Sequence, residues 1–289
     1  MLAVPTTGLR YAKGHGTEND FVIVPDPHGE LDMTPELVRA LCDRRSGVGG
    51  DGVLRVVAAA HVPAAGSMAD QAYWFMDYHN ADGSIAEMCG NGVRVYARYL
   101  LHAGLARSGE LRLATRGGLK QVSIEPDGDV IVEMGAPAVH GRQVARIGGR
   151  PCDGVQVSMG NPHLVCLVDE PLDSYDLSRP PEVDAAAFPD GVNVEVATVV
   201  ADRHAVMRVH ERGVGETRSC GTGACAVAAV LARRARLSDG DFTVDLPGGR
   251  LEVTLENGAA LLCGPAVVVA DGELTAEWLA AVPAPTRTS

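Results

Sequence analysis

Two short stretches of this chain carry residues that could do proton-transfer chemistry. Cys89-Gly90-Asn91-Gly92 and Cys220-Gly221-Thr222-Gly223 share a Cys-Gly-x-Gly pattern at an offset of 131. In each, a Gly-rich loop runs into a stretch that reads as a helix, so the cysteine falls at the helix start. The first amides of a helix have no internal partner and face the positive end of its dipole. Such a position cradles a small anion, and it is expected to lower a thiol below its free pKa of about 8.5. One such thiol could be a nucleophile. Two, related by duplication, suit a carbon that loses its proton to one sulfur and gains a proton from the other. That exchange inverts a stereocentre, while the helix starts stabilise charge on an adjoining carboxylate. The chemistry is that of a two-base racemase or epimerase.

The elements that position the thiols repeat as well. At the same offset, Met76 matches Met207, His79 matches His210, Gly109 matches Gly240, Gly117-Gly118 match Gly248-Gly249, Val122 matches Val253 and Glu125 matches Glu256. Each half reads as a strand (72–78, 205–210), a Gly-rich loop, a helix (90–103, 221–236) and two strands joined through Gly-Gly. The second helix, Ala224-Cys225-Ala226-Val227-Ala228-Ala229-Val230-Leu231, is apolar nearly all round and must be buried. Another helix is expected over 36–45, with Thr34 as N-cap and Pro35 at its first position. Residues 61–71 read as a mobile loop. The fold class is α/β (α+β), with two pseudo-symmetric repeated domains. Each is a curved mixed or antiparallel sheet wrapped around a central helix, and the active site is expected in the cleft between them. The halves are 1–134 with Cys89 and 135–267 with Cys220, and 268–289 is free to pack back on the first.

Composition narrows the function. With 46% hydrophobic and 21% charged residues the chain is ordinary globular protein. A formal charge of −12 argues against a nucleic-acid or an anionic-membrane partner. No apolar run is long enough to span a bilayer, and Met1–Arg10 lacks the pattern of a signal peptide, so a cytoplasmic location is expected. Seven cysteines without a C-x-x-C pair argue against a disulfide framework. The only lysines are Lys13 and Lys120, neither placed to carry pyridoxal phosphate, and no residues have zinc-ligand spacing. No cofactor and no metal are expected. A homodimer is the prior for assembly.

The motifs together resemble those of the diaminopimelate epimerase family. The first active-site motif of that family is similar to Asn80-Ala81-Asp82-Gly83-Ser84 with Met88-Cys89-Gly90-Asn91-Gly92-Val93-Arg94. The second is similar to Glu211-Arg212-Gly213-Val214-Gly215-Glu216-Thr217 with Ser219-Cys220-Gly221-Thr222-Gly223. Gly14–Phe21, Gly160-Asn161-Pro162-His163 and Asp190–Glu195 follow in family order. The resemblance implies interconversion of LL- and meso-diaminopimelate, on the route to lysine and peptidoglycan. It implies Cys220 as proton acceptor and Cys89 as proton donor from the LL side. Asn19, Asn80, Asn161, Asn193, Glu211 and Arg212 would grip the substrate. The backbone amides of Gly90, Asn91, Gly221 and Thr222 would hold the reacting carboxylate, and His163 and Glu211 would tune the thiols. Two departures stand out: Gly52 follows Asp51 where many members carry glutamine, and Ile85-Ala86 replace an acidic residue.

The residue types suit such a substrate. Asparagine donates and accepts, Arg212 can clamp a distal carboxylate, and Glu211 can take an ammonium. Those groups argue against a proline or hydroxyproline racemase, whose imino acid has no distal charge. A thiol redox or binding protein using the Cys89–Cys220 pair would leave the asparagines unexplained. Cys42, Cys152, Cys166, Cys225 and Cys263 read as buried hydrophobes, His79 and His210 as structural, and Glu216 as a cap for the second helix.

Overall fold

The computed structural model describes residues 8–283. Residues 1–7, part of the stretch read for a targeting signal, and 284–289, the end of the segment 268–289, lie outside the described residues. No helix among the described residues is long and apolar enough to cross a membrane. The chain divides into two compact units. One comprises the residues up to Val130 with those from Ala266 onward; the other is Ile131–Pro265.

The first unit holds β1 (Leu9–Gly16), β2 (Asn19–Pro25), β3 (Gly52–Ala58), β4 (Trp74–Asn80), β5 (Gly109–Thr115), β6 (Gly118–Ile124) and the late strand β17 (Val267–Leu274). They pair in the order β17–β1–β2–β3–β4–β5–β6. The β2–β3 and β4–β5 pairs are parallel and the rest antiparallel. Helix α2 (Gly90–His102) touches strands along the whole sheet, from β17 to β6, so the sheet curls round it. Strand β2 reads Phe-Val-Ile-Val because both faces are covered. Phe21 faces the first turn of α2 at Gly92, and Val22 and Val24 pack with Leu37, Val38 and Leu41 of α1 (Pro35–Cys42). Trp278 and Leu279 of α4 (Ala276–Ala281) extend that outer layer. Each such fully buried aliphatic side chain contributes roughly 2 kcal/mol. Thr34 caps α1 through its hydroxyl, but the helix stops at Cys42. Asp43 is extended there, and its carboxylate accepts the amides of Arg45 and Ser46 instead. Residues 61–71 are not a plain loop: 3-10 turns run over Pro63–Asp70, and Ala65 is buried with Val57 and Phe75.

The second unit runs through β7 (Val130–Gly135), β8 (Ala138–Ile147), β9 (Arg150–Ser158), β10 (Pro162–Leu167), β11 (Asn193–Ala201), β12 (His204–Glu211), β13 (Gly215–Thr217), β14 (Gly240–Leu246), β15 (Gly249–Glu256) and β16 (Ala259–Gly264). The order β8–β9–β10–β11–β12–β14–β15–β16 repeats the first unit's alternation, with β10–β11 and β12–β14 parallel. Helix α3 (Gly221–Ala235) is buried against strands from β9 to β16. The long connection before β11 covers the outer face, setting Tyr175, Leu177 and Phe188 on Leu164, Val194 and Val196. His210 ties it down at the Leu177 carbonyl, 2.8 Å from Nδ1. Glu216 lies on β13 and pairs with Arg208 at 2.7 Å, so it does not cap α3.

A buried ionic cluster pins the strand that ends at Asn80. Arg55 of β3 bonds Asp77 of β4 across the pair at 3.2 Å and also Asp26 at 2.6 Å, and Arg116 lies 2.7 Å from Asp77. Burial works against the charge of Asp77, but His79 and Arg116 outweigh it and hold the carboxyl well below its usual range. Removing one partner from a buried cluster leaves the others uncompensated. Asp77→Ala should therefore destabilise the protein by about 3 kcal/mol at neutral pH in urea unfolding. A carboxyl with a depressed native pKa stabilises above its unfolded value and loses that contribution as pH falls through the native one. The difference between the two proteins should accordingly shrink as pH falls below the ordinary carboxylate range.

Candidate active site

In the first unit the site grows from a tight hairpin. Gly16 pairs with Asn19, so Thr17 and Glu18 alone make the β1–β2 turn. Both have positive φ, 48° and 63°, which turns of this kind usually reserve for Asn and Gly. Thr17 is held there from below. Its hydroxyl accepts from Arg94 of α2 at 3.1 Å, and that guanidinium, 0% exposed, also donates to Asn91 Oδ1 at 2.8 Å. The turn thereby delivers Asn19 to the start of α2. Cys89 is the N-cap, and its sulfur accepts the Gly92 amide at 3.4 Å. Its Sγ lies 3.7 Å from Asn19 Oδ1, which also accepts from Asn91 Nδ2 at 3.2 Å. Asn80 ends β4 opposite Gly52 of β3, and its amide donates to Ser84 Oγ at 3.0 Å. A side chain at Gly52 would put Cβ 2.6 Å from the His79 carbonyl oxygen and 2.7 Å from the Tyr78 ring, so the strand pair closes over the position where a glutamine was expected.

The second unit repeats the cap with other neighbours. Cys220 is the N-cap of α3; its sulfur accepts the Gly223 amide at 3.4 Å and lies 3.4 Å from Thr222 Oγ1. Asn161 Nδ2 donates to that hydroxyl at 3.4 Å, and Asn161 Oδ1 is 3.1 Å from His163 Nε2. His163 Nδ1 in turn lies 2.6 Å from Glu195 Oε1, with both side chains 0% exposed. Asn193 Oδ1 accepts the Arg212 amide at 2.9 Å, and the Arg212 guanidinium donates to the Asp190 carbonyl at 3.1 Å. Glu211 accepts a hydrogen bond from Thr217. The structure thus gathers Asn161, His163, Thr222 and Cys220 in one chain of contacts.

Glu195 is the residue of this chain of contacts that sequence reasoning passed over. It closes the quoted Asp190–Glu195 motif, where the sequence reading gives it no role. Its signal was alternation: Val194 and Val196 enter the outer core, so Asn193 and Glu195 face α3. A Cβ at Gly223 would lie 2.8 Å from Glu195 Oε1, so a side chain there would push on the carboxylate that meets His163. Burial raises the Glu195 carboxyl against the charge of His163, and burial likewise raises Glu211 against its bond from Thr217. The expected depressed thiol is overturned at Cys220. Burial first, then the Glu211 and Glu195 carboxylates, push this thiol well above its ordinary value despite the bonds from Thr222 and Gly223. Here burial and negative neighbours outweigh the helix start. Among the five cysteines that cap neither helix, Cys263 is half-buried and the rest are buried, with desolvation pushing Cys42 up to about 12. No group of three or more potential metal ligands occurs among the described residues.

Two curved sheets, each enclosing a central helix, form a fold that recurs among solved structures. A hydroxyproline epimerase from Agrobacterium vitis matches with a TM-score of 0.66 at 15% identity, covering 93% of each chain. A phenazine biosynthesis protein of the PhzF family from Bacillus anthracis matches at 0.68 and 17% identity, over 93% of this chain and 100% of the other. The sequence is more specific. The diaminopimelate epimerase family model matches residues 11–140 and 155–273, and the chain belongs to that family. Diaminopimelate epimerase of Streptomyces coelicolor is 54% identical over 96% of this chain and 99% of its own. That of Corynebacterium glutamicum is 48% identical over 92% and 98%.

The carboxylates around Cys220 make its reactivity a measurable quantity. Glu211→Gln removes one negative neighbour and should lower the thiol's pKa. Iodoacetamide labelling of Cys220 near pH 8, followed by peptide mapping, should be about tenfold faster in the variant than in wild type.

Proposed function

We propose that this protein interconverts LL- and meso-2,6-diaminopimelate without a cofactor, supplying precursors of lysine and peptidoglycan. The observation that carries the reading is that both repeat cysteines are helix N-caps, each sulfur at 3.4 Å from the third helical amide. An inverting carbon must be served on its two faces. In this reading Cys220 takes the Cα proton as a thiolate, and Cys89 gives its own proton to the other face. Negative charge passes from sulfur to the carbanion and its carboxylate and ends on the Cys89 sulfur. The amides of Gly90, Asn91, Gly221 and Thr222 hold the carboxylate where that charge grows.

A thiol pKa far above neutrality makes Cys220 a poor base in the empty protein. Substrate supplies what is missing, since its α-ammonium brings positive charge beside Glu211 and the sulfur. Asn19, Asn80, Asn161 and Asn193 orient the two amino-acid ends, and Glu211 and Arg212 recognise the charged groups. His163 modulates Cys220 through Asn161 and Thr222. Lys13 supports the cofactor-free reading, because it is engaged by Asp20 at 2.6 Å and by the Gly49 carbonyl. The same reading has the enzyme act in the cytoplasm, as a homodimer, the commonest symmetric assembly.

The test is LL-diaminopimelate with a meso-specific dehydrogenase as the reporter and no added pyridoxal phosphate or metal. Wild type should reduce the dehydrogenase's cofactor steadily. Cys89→Ala and Cys220→Ala should each lose at least about a thousandfold in turnover while keeping their circular dichroism. Near wild-type turnover in either variant would end the two-base assignment. In deuterated water, wild type should place one deuterium at the inverted carbon.

A further inference from the structure

The amide of Asn19 is oriented from both ends: Asn91 Nδ2 donates to its Oδ1 at 3.2 Å, and its other end is held by the residue before the unusual Gly52. Asn19 Nδ2 donates to Asp51 Oδ2 at 2.7 Å. A carboxylate only accepts, so this end of the amide must be the NH2. The opposite end, Oδ1, is then the one that meets Cys89 at 3.7 Å. Asp51 is itself held in place. Its Oδ2 also accepts the Asp20 amide at 3.2 Å, and its Oδ1 takes Arg44 at 2.8 Å. Arg44 in turn grips both oxygens of Asp20, whose second partner is Lys13.

We propose that Asp51 is a positioning residue: by turning the Asn19 carbonyl toward Cys89, it gives the sulfur an acceptor for its hydrogen and keeps it as the thiol that donates a proton. The proposal rests on the reading of Cys89 as the donor. The two sulfurs thereby differ in hydrogen-bond polarity. Cys89 faces a carbonyl that can only accept, which favours S–H. Were the Asn19 amide reversed, its NH2 would point at the sulfur and favour the thiolate. The charged groups linked to the pair are Asp51 before β3, with Arg44 beyond α1, Asp20 on β2 and Lys13 on β1 behind it, and Arg94 on α2 through Asn91; Glu87 lies in the chain just ahead of Cys89. None but Asp51 has a direct hold on the free end of the Asn19 amide.

The experiment is alkylation of Cys89 across pH in the ligand-free protein, read by peptide mapping, in wild type, Asp51→Ala, Asp51→Glu and Asp20→Asn. The Asp51 side chain is 45% exposed, so its removal leaves the core intact. In Asp51→Ala the Cys89 labelling curve should move down by about one pH unit, a tenfold gain in rate below it, and that of Cys220 should stay. Asp51→Glu should restore most of the wild-type curve. Asp20→Asn removes an equal charge from the network but keeps the Asp51–Asn19 bond, and should move the curve by less than half as much. An unmoved Cys89 curve in Asp51→Ala overturns the proposal. Equal shifts in Asp51→Ala and Asp20→Asn overturn it too, because charge alone would then account for the effect. The labelling needs no substrate, so its outcome is separate from the epimerase assay on wild type.

Discussion

An α-helix that begins inside a folded unit brings amide hydrogens into a place where water cannot satisfy them all. Both central helices of this protein begin that way, and in both the N-cap is cysteine rather than the usual serine, threonine, asparagine or aspartate. The sulfur takes one amide, and the others stay available to an anion. Curved sheets, glycines after each cysteine and buried apolar helix faces are what it takes to keep such a start enclosed and still approachable by a small carboxylate. The glycines are not equivalent. At Gly223 the Glu195 carboxylate stands where a side chain would go, whereas at Gly92 a Cβ would meet only ordinary contacts, 3.4 Å from Leu54.

The two halves share a backbone arrangement but differ in electrostatics. The first thiol sits near an asparagine chain that ends in exposed ion pairs with Arg44. The second sits near the buried Glu195 and His163 and the half-buried Glu211. Burial together with the Glu195 and Glu211 carboxylates explains why a helix start alone does not lower this thiol.

Local strain marks the same region. Two consecutive non-glycine residues with positive φ form the turn before Asn19, a cost normally avoided by Asn-Gly. The buried Arg94 bonds both to that turn and to Asn91, so the packing of α2 imposes the turn geometry. Placement of Asn19 is therefore set by a helix seventy residues away in the chain.

Much of this was legible in the sequence. The offset of 131, with Cys-Gly-x-Gly in each copy, determined the twofold architecture, the central helices and the two cysteines, because repetition and apolar periodicity survive without knowledge of contacts. The family motifs named Asn161, His163 and Glu211. Other features depended on tertiary structure. Strands β1–β3 and β8–β11 lie outside the recognised repeat, and β2 and β3, buried on both faces, lose the alternation that would reveal them. Return of the chain after Ala266 to pair with β1 is a non-local choice. Glu195 has no evident role until the face it shares with Asn193 is known. The helix end at Cys42, the Glu216–Arg208 pair and the raised Cys220 thiol were decided by burial and by charges from other strands. Sequence fixes which residues can ionise; only the packed protein decides how much water and which charges each of them meets.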